Sequence, residues 1–198
     1  MRMKVIQVKC PKCNNAISMT QRDRVFLCSN CNTLHSRDNG VETLNFEIAE
    51  FGPSFRGEGM YVPFWRLSAN FIIRSEKIEG GGASRLAAWL KGAQSRGGAL
   101  YVFVPAAEFD PTTFKHFAMM FTENPPRYST RFNFGGMKNM PVVTTRAESL
   151  ELADFVVVTM EAEQPGILQQ LDYTLQVSDA KLIYLPFLKT PSGLQPAV

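Results

Sequence analysis

The clearest pattern in this chain is an alternation of apolar and polar residues that begins at Tyr61. One face takes the odd-numbered positions through Ile73, and the other includes Arg66, Ser68 and Asn70. This period of two predicts a strand with one buried face. Shorter apolar or β-branched runs predict further strands at 4–8, 24–27, 41–51, 100–104, 141–143, 155–160 and 182–185.

Four helices are predicted between these strands. After Ser84, apolar residues recur at the helical spacing through Ala93, and a second stripe follows the Asp110-Pro111 start signal, with His116 on its opposite, exposed face. Thr145 and Glu148 have the form of a capping box, which predicts a short helix through residue 153. Residues 165–175 are predicted to form the fourth helix.

Strands that alternate with amphipathic helices predict an α/β layered domain with a mixed sheet. A polar, turn-rich segment at 36–40 separates this domain, 38–190, from a small N-terminal module, 1–37. Residues 191–198 are expected to form a disordered tail. One sequence echo, Tyr-aliphatic-Pro-Phe at 61–64 and again at 184–187, is weak evidence for a duplicated unit.

All four cysteines lie in the N-terminal module. Cys10 and Cys13 form one Cys-x-x-Cys pair, Cys28 and Cys31 form another, and fourteen residues separate the pairs. Two such turns supply four sulfurs for a tetrahedral Zn²⁺ site, and the gap has room for a short hairpin. The stretch from about residue 3 to residue 35 resembles a zinc ribbon. That resemblance implies a small β fold and one zinc ion, and no particular activity.

The competing interpretation of Cys10 and Cys13 is a redox dithiol on a thioredoxin-like unit. That fold requires a long helix after the first cysteine, whereas polar residues follow here and redox chemistry would leave the second pair unused. Because the protein fills all four ligand positions, the zinc is expected to be structural. His35, four residues past Cys31, is expected at the ribbon surface.

The charge distribution suggests an anionic partner for the ribbon. Residues 1–37 carry seven basic side chains against one acidic one, although the net charge of the whole chain is only +3. Candidate contacts to nucleic acid or to an acidic protein surface are Lys9, Lys12, Arg22 and Arg24, with Phe26 as a stacking residue. The alternative is that these cations only offset the anionic metal centre.

The chain is poor in catalytic groups. It has two histidines and no nucleophile elbow, metalloprotease helix or dinucleotide fingerprint. No apolar run reaches the length of a membrane span, and thiolates that hold zinc favour a reducing compartment, so a cytoplasmic location is expected. The hypothesis is a zinc-binding adaptor or scaffold with a protein partner. Nucleic-acid binding and an enzyme with an unrecognised site are the alternatives.

Overall fold

The computed structural model describes residues 5–20, 23–37, 41–53, 55–79, 97–163 and 167–198. Its architecture is mixed α/β, with a small N-terminal antiparallel β region and a larger mixed sheet that carries two helices in the described part of the chain. This confirms the predicted fold class. The predicted helix after Ser84 lies outside the described residues.

The N-terminal region contains two small antiparallel sheets. Strands β1 (Val5–Lys9) and β2 (Ala16–Thr20) form a hairpin. Strands β3 (Val25–Cys28), β4 (Thr33–Ser36) and β5 (Glu42–Leu44) form the second sheet. Strand β5 lies beyond residue 38, so this sheet continues past the predicted boundary.

The large sheet is built around two long antiparallel strands, β7 (Gly59–Glu79) and β11 (Ile167–Thr190). One edge of β7 pairs with β8 (Gly97–Pro105) and β10 (Lys138–Asn139). One edge of β11 pairs with β6 (Phe46–Ala49) and β12 (Gly193–Pro196). The short β9 (Thr130–Arg131) extends the sheet beyond β6.

The single buried face predicted for β7 is confirmed from Trp65 to Arg74, but Val62 and Phe64 on the other face are also fully buried. Its odd-numbered side chains from Tyr61 to Ile73 are buried, whereas Asn70, Ile72 and Arg74 are exposed. Helix α1 (Pro111–Glu123) begins at the Asp110 cap, whose carboxylate accepts hydrogen bonds from the backbone N–H groups of residues 112 and 113. It buries Phe117 and Phe121 against the sheet, and His116 is exposed, as predicted.

Several predicted elements are wrong. Residues 155–160 are not a strand, because helix α2 (Arg146–Ala162) starts at the predicted capping box on Thr145 and continues through them. The helix predicted at 165–175 is replaced from Ile167 onward by β11, which pairs with β7. Residues 141–143 form no strand. Residues 191–198, for which disorder was predicted, include β12, which pairs with the end of β11.

The Tyr-aliphatic-Pro-Phe echo marks a pseudo-two-fold axis. Tyr61 pairs with Pro186, and Tyr184 pairs with Pro63, so the two motifs face each other across β7 and β11. The flanking contacts are equivalent: Ala106 N donates to Pro63 O and Ala197 N donates to Pro186 O, each at 2.9 Å. Outside these strands, β10 lies parallel to β7 as β6 lies parallel to β11. The two motifs therefore occupy equivalent positions in the sheet.

Neither described helix combines the length and apolar character that crossing a membrane would require.

Candidate metal centre

The first pair of cysteines lies in the tight turn between β1 and β2. Two backbone hydrogen bonds of Cys10 close this turn. The Cys10 carbonyl accepts from Asn14 N and the Cys10 N–H donates to Asn15 O, each at 2.8 Å. Asn14 has φ of 60°, in the left-handed region that asparagine tolerates better than most residues. The turn therefore folds the sulfurs of Cys10 and Cys13 toward the same side.

The second pair repeats this design between β3 and β4. Cys28 is the last residue of β3, Cys31 lies in the turn, and the following Asn32 is again left-handed, with φ of 51°. Asparagine after the second cysteine of each pair thus has a backbone role that the sequence analysis did not assign. The signal was available, because Cys-Asn occurs at both positions.

The four sulfurs converge on one point. Cys10 Sγ lies 3.7 Å from Cys31 Sγ, Cys13 Sγ lies 3.4 Å from Cys28 Sγ, and all four atoms lie within 4.8 Å of one another. A tetrahedral site with Zn–S bonds of roughly 2.3 Å has sulfur–sulfur edges of about 3.8 Å. Disulfide bonds, with S–S near 2.05 Å, are much shorter. The cluster can hold a metal ion, and four thiolates in this arrangement are typical of zinc or iron.

Local hydrogen bonds and burial shift the pKa values of three thiols of the cluster, two downward and one upward. The backbone N–H of Asn15, followed by the Asn30 side chain, lowers the pKa of Cys13 to about 6. The Thr33 hydroxyl lowers the pKa of Cys31. At Cys28 the backbone N–H of Cys31 also lowers the pKa, but burial and the hydrogen bond with Cys13 outweigh it and raise the pKa to about 11.

The expectation that His35 lies at the ribbon surface is wrong. His35 is fully buried in β4, where it pairs with Phe26 of β3, and their ring centroids are 5.3 Å apart. Its Nε2 lies 3.3 Å from Cys10 Sγ. Burial, followed by the nearby Lys12 charge, lowers the pKa of His35. No local sequence signal indicated this burial, which depends on the pairing of three strands.

Three of the four predicted partner-binding cations are described, and all three are exposed: Lys9, Lys12 and Arg24. Arg22 lies outside the described residues. Phe26 is 5% exposed and packs with Cys10, Ile17 and Cys28, so its predicted role as a stacking residue is wrong.

The ribbon lies directly against the large sheet domain. Arg24 N donates to Val142 O at 3.1 Å, and a cavity of about 230 Å³ between the two parts is lined mainly by apolar residues of β3, β4 and the 139–142 segment. At the second cysteine turn, Asn32 Nδ2 donates to Phe132 O at 2.6 Å. Phe132 itself is 93% exposed. The metal centre is therefore adjacent to an aromatic side chain that projects into solvent.

Comparisons with protein-family models, with curated proteins and with solved structures find no match. The resemblance to a zinc ribbon consequently rests on the cysteine spacing and on the geometry of the four sulfurs.

Proposed function

We propose that this chain is a zinc-binding adaptor or scaffold protein, in which a structural zinc ribbon fixes a surface that binds another protein. The observation that carries the proposal is the convergence of four cysteine sulfurs from two turns. Four protein ligands complete a tetrahedral zinc shell and leave no position for a substrate or an activated water. Such a centre contributes to folding and to rigidity.

The binding surface is proposed at the second cysteine turn. Asn32 holds the backbone of Phe132, and the exposed phenylalanine ring is the kind of side chain that anchors protein interfaces by filling an apolar pocket of the partner. Zinc bound at Cys28 and Cys31 would keep this turn in place. The metal would thus affect partner binding indirectly, because it fixes the cysteine turn whose Asn32 side chain holds the backbone of Phe132.

Two measurements test this proposal. Elemental analysis of purified protein with reduced thiols should return about one zinc per chain, and its absence would contradict the zinc site. Photo-crosslinking from position 132 in nuclease-treated native lysate should give a defined protein adduct that is lost on zinc chelation. The matched control places the same crosslinker at Phe155, which is 50% exposed on α2. Equal adducts from both positions would contradict the proposed surface.

Nucleic-acid binding is the second candidate, supported by the exposure of Lys9, Lys12 and Arg24 in the ribbon. Each phosphate contact that these cations make would release a counterion, so the affinity would fall steeply with salt. Zinc with four thiolates carries a charge of −2 and offsets part of this positive charge.

A titration with mixed DNA and RNA oligonucleotides at low and high salt separates the two candidates. Nucleic-acid binding predicts salt-sensitive affinity that is lost when Lys9, Lys12, Arg22 and Arg24 are changed to Ala. The control changes exposed basic residues of the sheet domain to Ala: Arg127, Lys138 and Arg146. Affinity that both variants lose equally would indicate nonspecific charge attraction.

A further inference from the structure

His35 has a position that packing alone does not explain. Its ring is enclosed between Phe26 and the metal centre, and Nε2 faces Cys10 Sγ at 3.3 Å. The other ring nitrogen, Nδ1, is buried without a hydrogen-bond partner among the described residues. Burying an unpartnered polar atom is unfavourable, and a phenylalanine would fill the same space without that cost. The imidazole is therefore explained by what Nε2 does.

The chemistry of a metal-bound cysteine determines the direction of this hydrogen bond. A coordinating thiolate has no proton and can only accept, so the proton in the contact must be carried by Nε2. The tautomer that carries its one N–H on Nε2 leaves Nδ1 unprotonated. This tautomer matches the two environments, because Nε2 has an acceptor and Nδ1 lacks a described partner.

Two of the other three sulfurs have backbone donors in the cysteine turns: the Asn15 N–H serves Cys13 and the Cys31 N–H serves Cys28. The Thr33 hydroxyl lies 3.3 Å from Cys31 Sγ and donates to Cys31 O. For Cys10, the corresponding side chain is His35, which reaches the centre from β4. Donors of this kind reduce the negative charge on buried thiolates and orient metal ligands.

We infer that His35 is a positioning residue of the metal centre, which donates its Nε2 proton to the Cys10 thiolate and slows release of the bound zinc. The inference rests on the proposed zinc site and extends it to the second shell. Outer-shell partners of this type contribute roughly 10- to 100-fold to metal affinity. Because His35 lies on β4, its hydrogen bond to Cys10 also joins the first cysteine turn to the sheet that carries the second cysteine turn.

Two variants separate hydrogen bonding from packing. His35→Phe keeps a ring of similar size and removes the donor, whereas His35→Gln places an amide N–H at a similar reach. We expect His35→Phe to speed zinc transfer to a chromogenic chelator about 10-fold or more, and His35→Gln to retain most of the wild-type rate. In the cobalt-substituted protein, His35→Phe should shift the sulfur-to-cobalt charge-transfer bands to lower energy, because the thiolate becomes more electron-rich.

A control and a wild-type measurement complete the test. Phe26→Leu changes the packing against the His35 ring but keeps the Nε2–H donor, so it should shift the charge-transfer bands less than His35→Phe does. Nitrogen NMR of the zinc-loaded wild type should find Nε2 protonated. The inference is overturned by unprotonated Nε2, by direct metal–nitrogen coupling in the cadmium-substituted protein, or by charge-transfer bands of His35→Phe at the wild-type energy. A wild type without bound metal would contradict the zinc proposal itself.

Discussion

Removal of zinc should release the β1–β2 hairpin while the β3–β5 sheet stays folded. The two halves of the ribbon are stabilised differently. The hairpin contributes Cys10 and Ile17 to a small cluster around the metal centre, whereas Val25 and Leu34 belong to the main core of the large sheet. Either chelation or Cys13→Ser should reveal this difference.

The magnitude follows from what the hairpin buries. Among the described side chains of the hairpin, Ile17 is the one large apolar residue that is buried in this cluster. Burial of the Ile17 side chain stabilises the folded hairpin by about 1.5–3 kcal/mol. Ordering the backbone costs roughly 1–2 kcal/mol per residue, so this contact cannot hold residues 5–20. Zinc coordination, worth on the order of 10–16 kcal/mol in finger peptides, makes up the difference. In β3 and β4, Val25 and Leu34 keep their core contacts without the metal.

Hydrogen exchange with and without a chelator tests this division. Protection over residues 5–20 should fall by about 1,000-fold or more, which corresponds to about 4 kcal/mol, and protection over 25–28 and 33–36 should change by less than about 10-fold. Cys13→Ser should reproduce the pattern without chelator. Unchanged protection in the hairpin, or an equal loss in both segments, would refute the reasoning.

Two further predictions concern the sheet domain. Burial opposes ionisation of Glu47, but hydrogen bonds from Lys181 and Tyr128 and the charge of Arg66 outweigh it and lower the pKa of Glu47 below 4.5. The ionised carboxylate therefore stabilises the fold above pH 4.5. This stabilisation is lost as the pH falls through the lowered pKa. Glu47→Gln should cost about 1–2 kcal/mol at pH 7, measured by urea unfolding, and flatten the acid limb of the stability profile; an unchanged acid limb would contradict this. Thr145→Ala should cost about 1 kcal/mol by removing the α2 cap, with Thr145→Ser as the control that keeps it.

Local signals predicted the elements that depend on local chemistry. The cysteine spacing predicted the convergence of the sulfurs, and the Asp110 and Thr145 caps predicted where both described helices begin. The error in α2 came from Phe155 and the three valines after it, a run typical of a buried strand. The helix nevertheless has no breaker up to residue 162, and its buried positions, which include Ala153 and Met160, follow the helical spacing.

Elements that depend on distant partners were missed. The alternation at Leu171, Tyr173, Leu175 and Val177 is compatible with a strand. These residues form a strand because they pair with β7, which lies about a hundred residues earlier in the sequence. His35 is similar, because its burial requires β3, β4 and the first cysteine turn to assemble. A local window of residues decides neither the β7–β11 pairing nor the burial of His35.

The long β7–β11 ladder has a consequence for synthesis on the ribosome. Glu79 and Ile167 are neighbours in the folded chain, yet at bacterial or eukaryotic elongation rates of about 5–20 residues per second several seconds separate their emergence. Throughout that interval one edge of β7 presents unpaired backbone N–H and C=O groups, because β8 pairs with the opposite edge. The nascent chain is therefore most vulnerable to aggregation before β11 is translated, and a stop codon introduced between α2 and β11 should yield a product that chaperones bind or proteases remove.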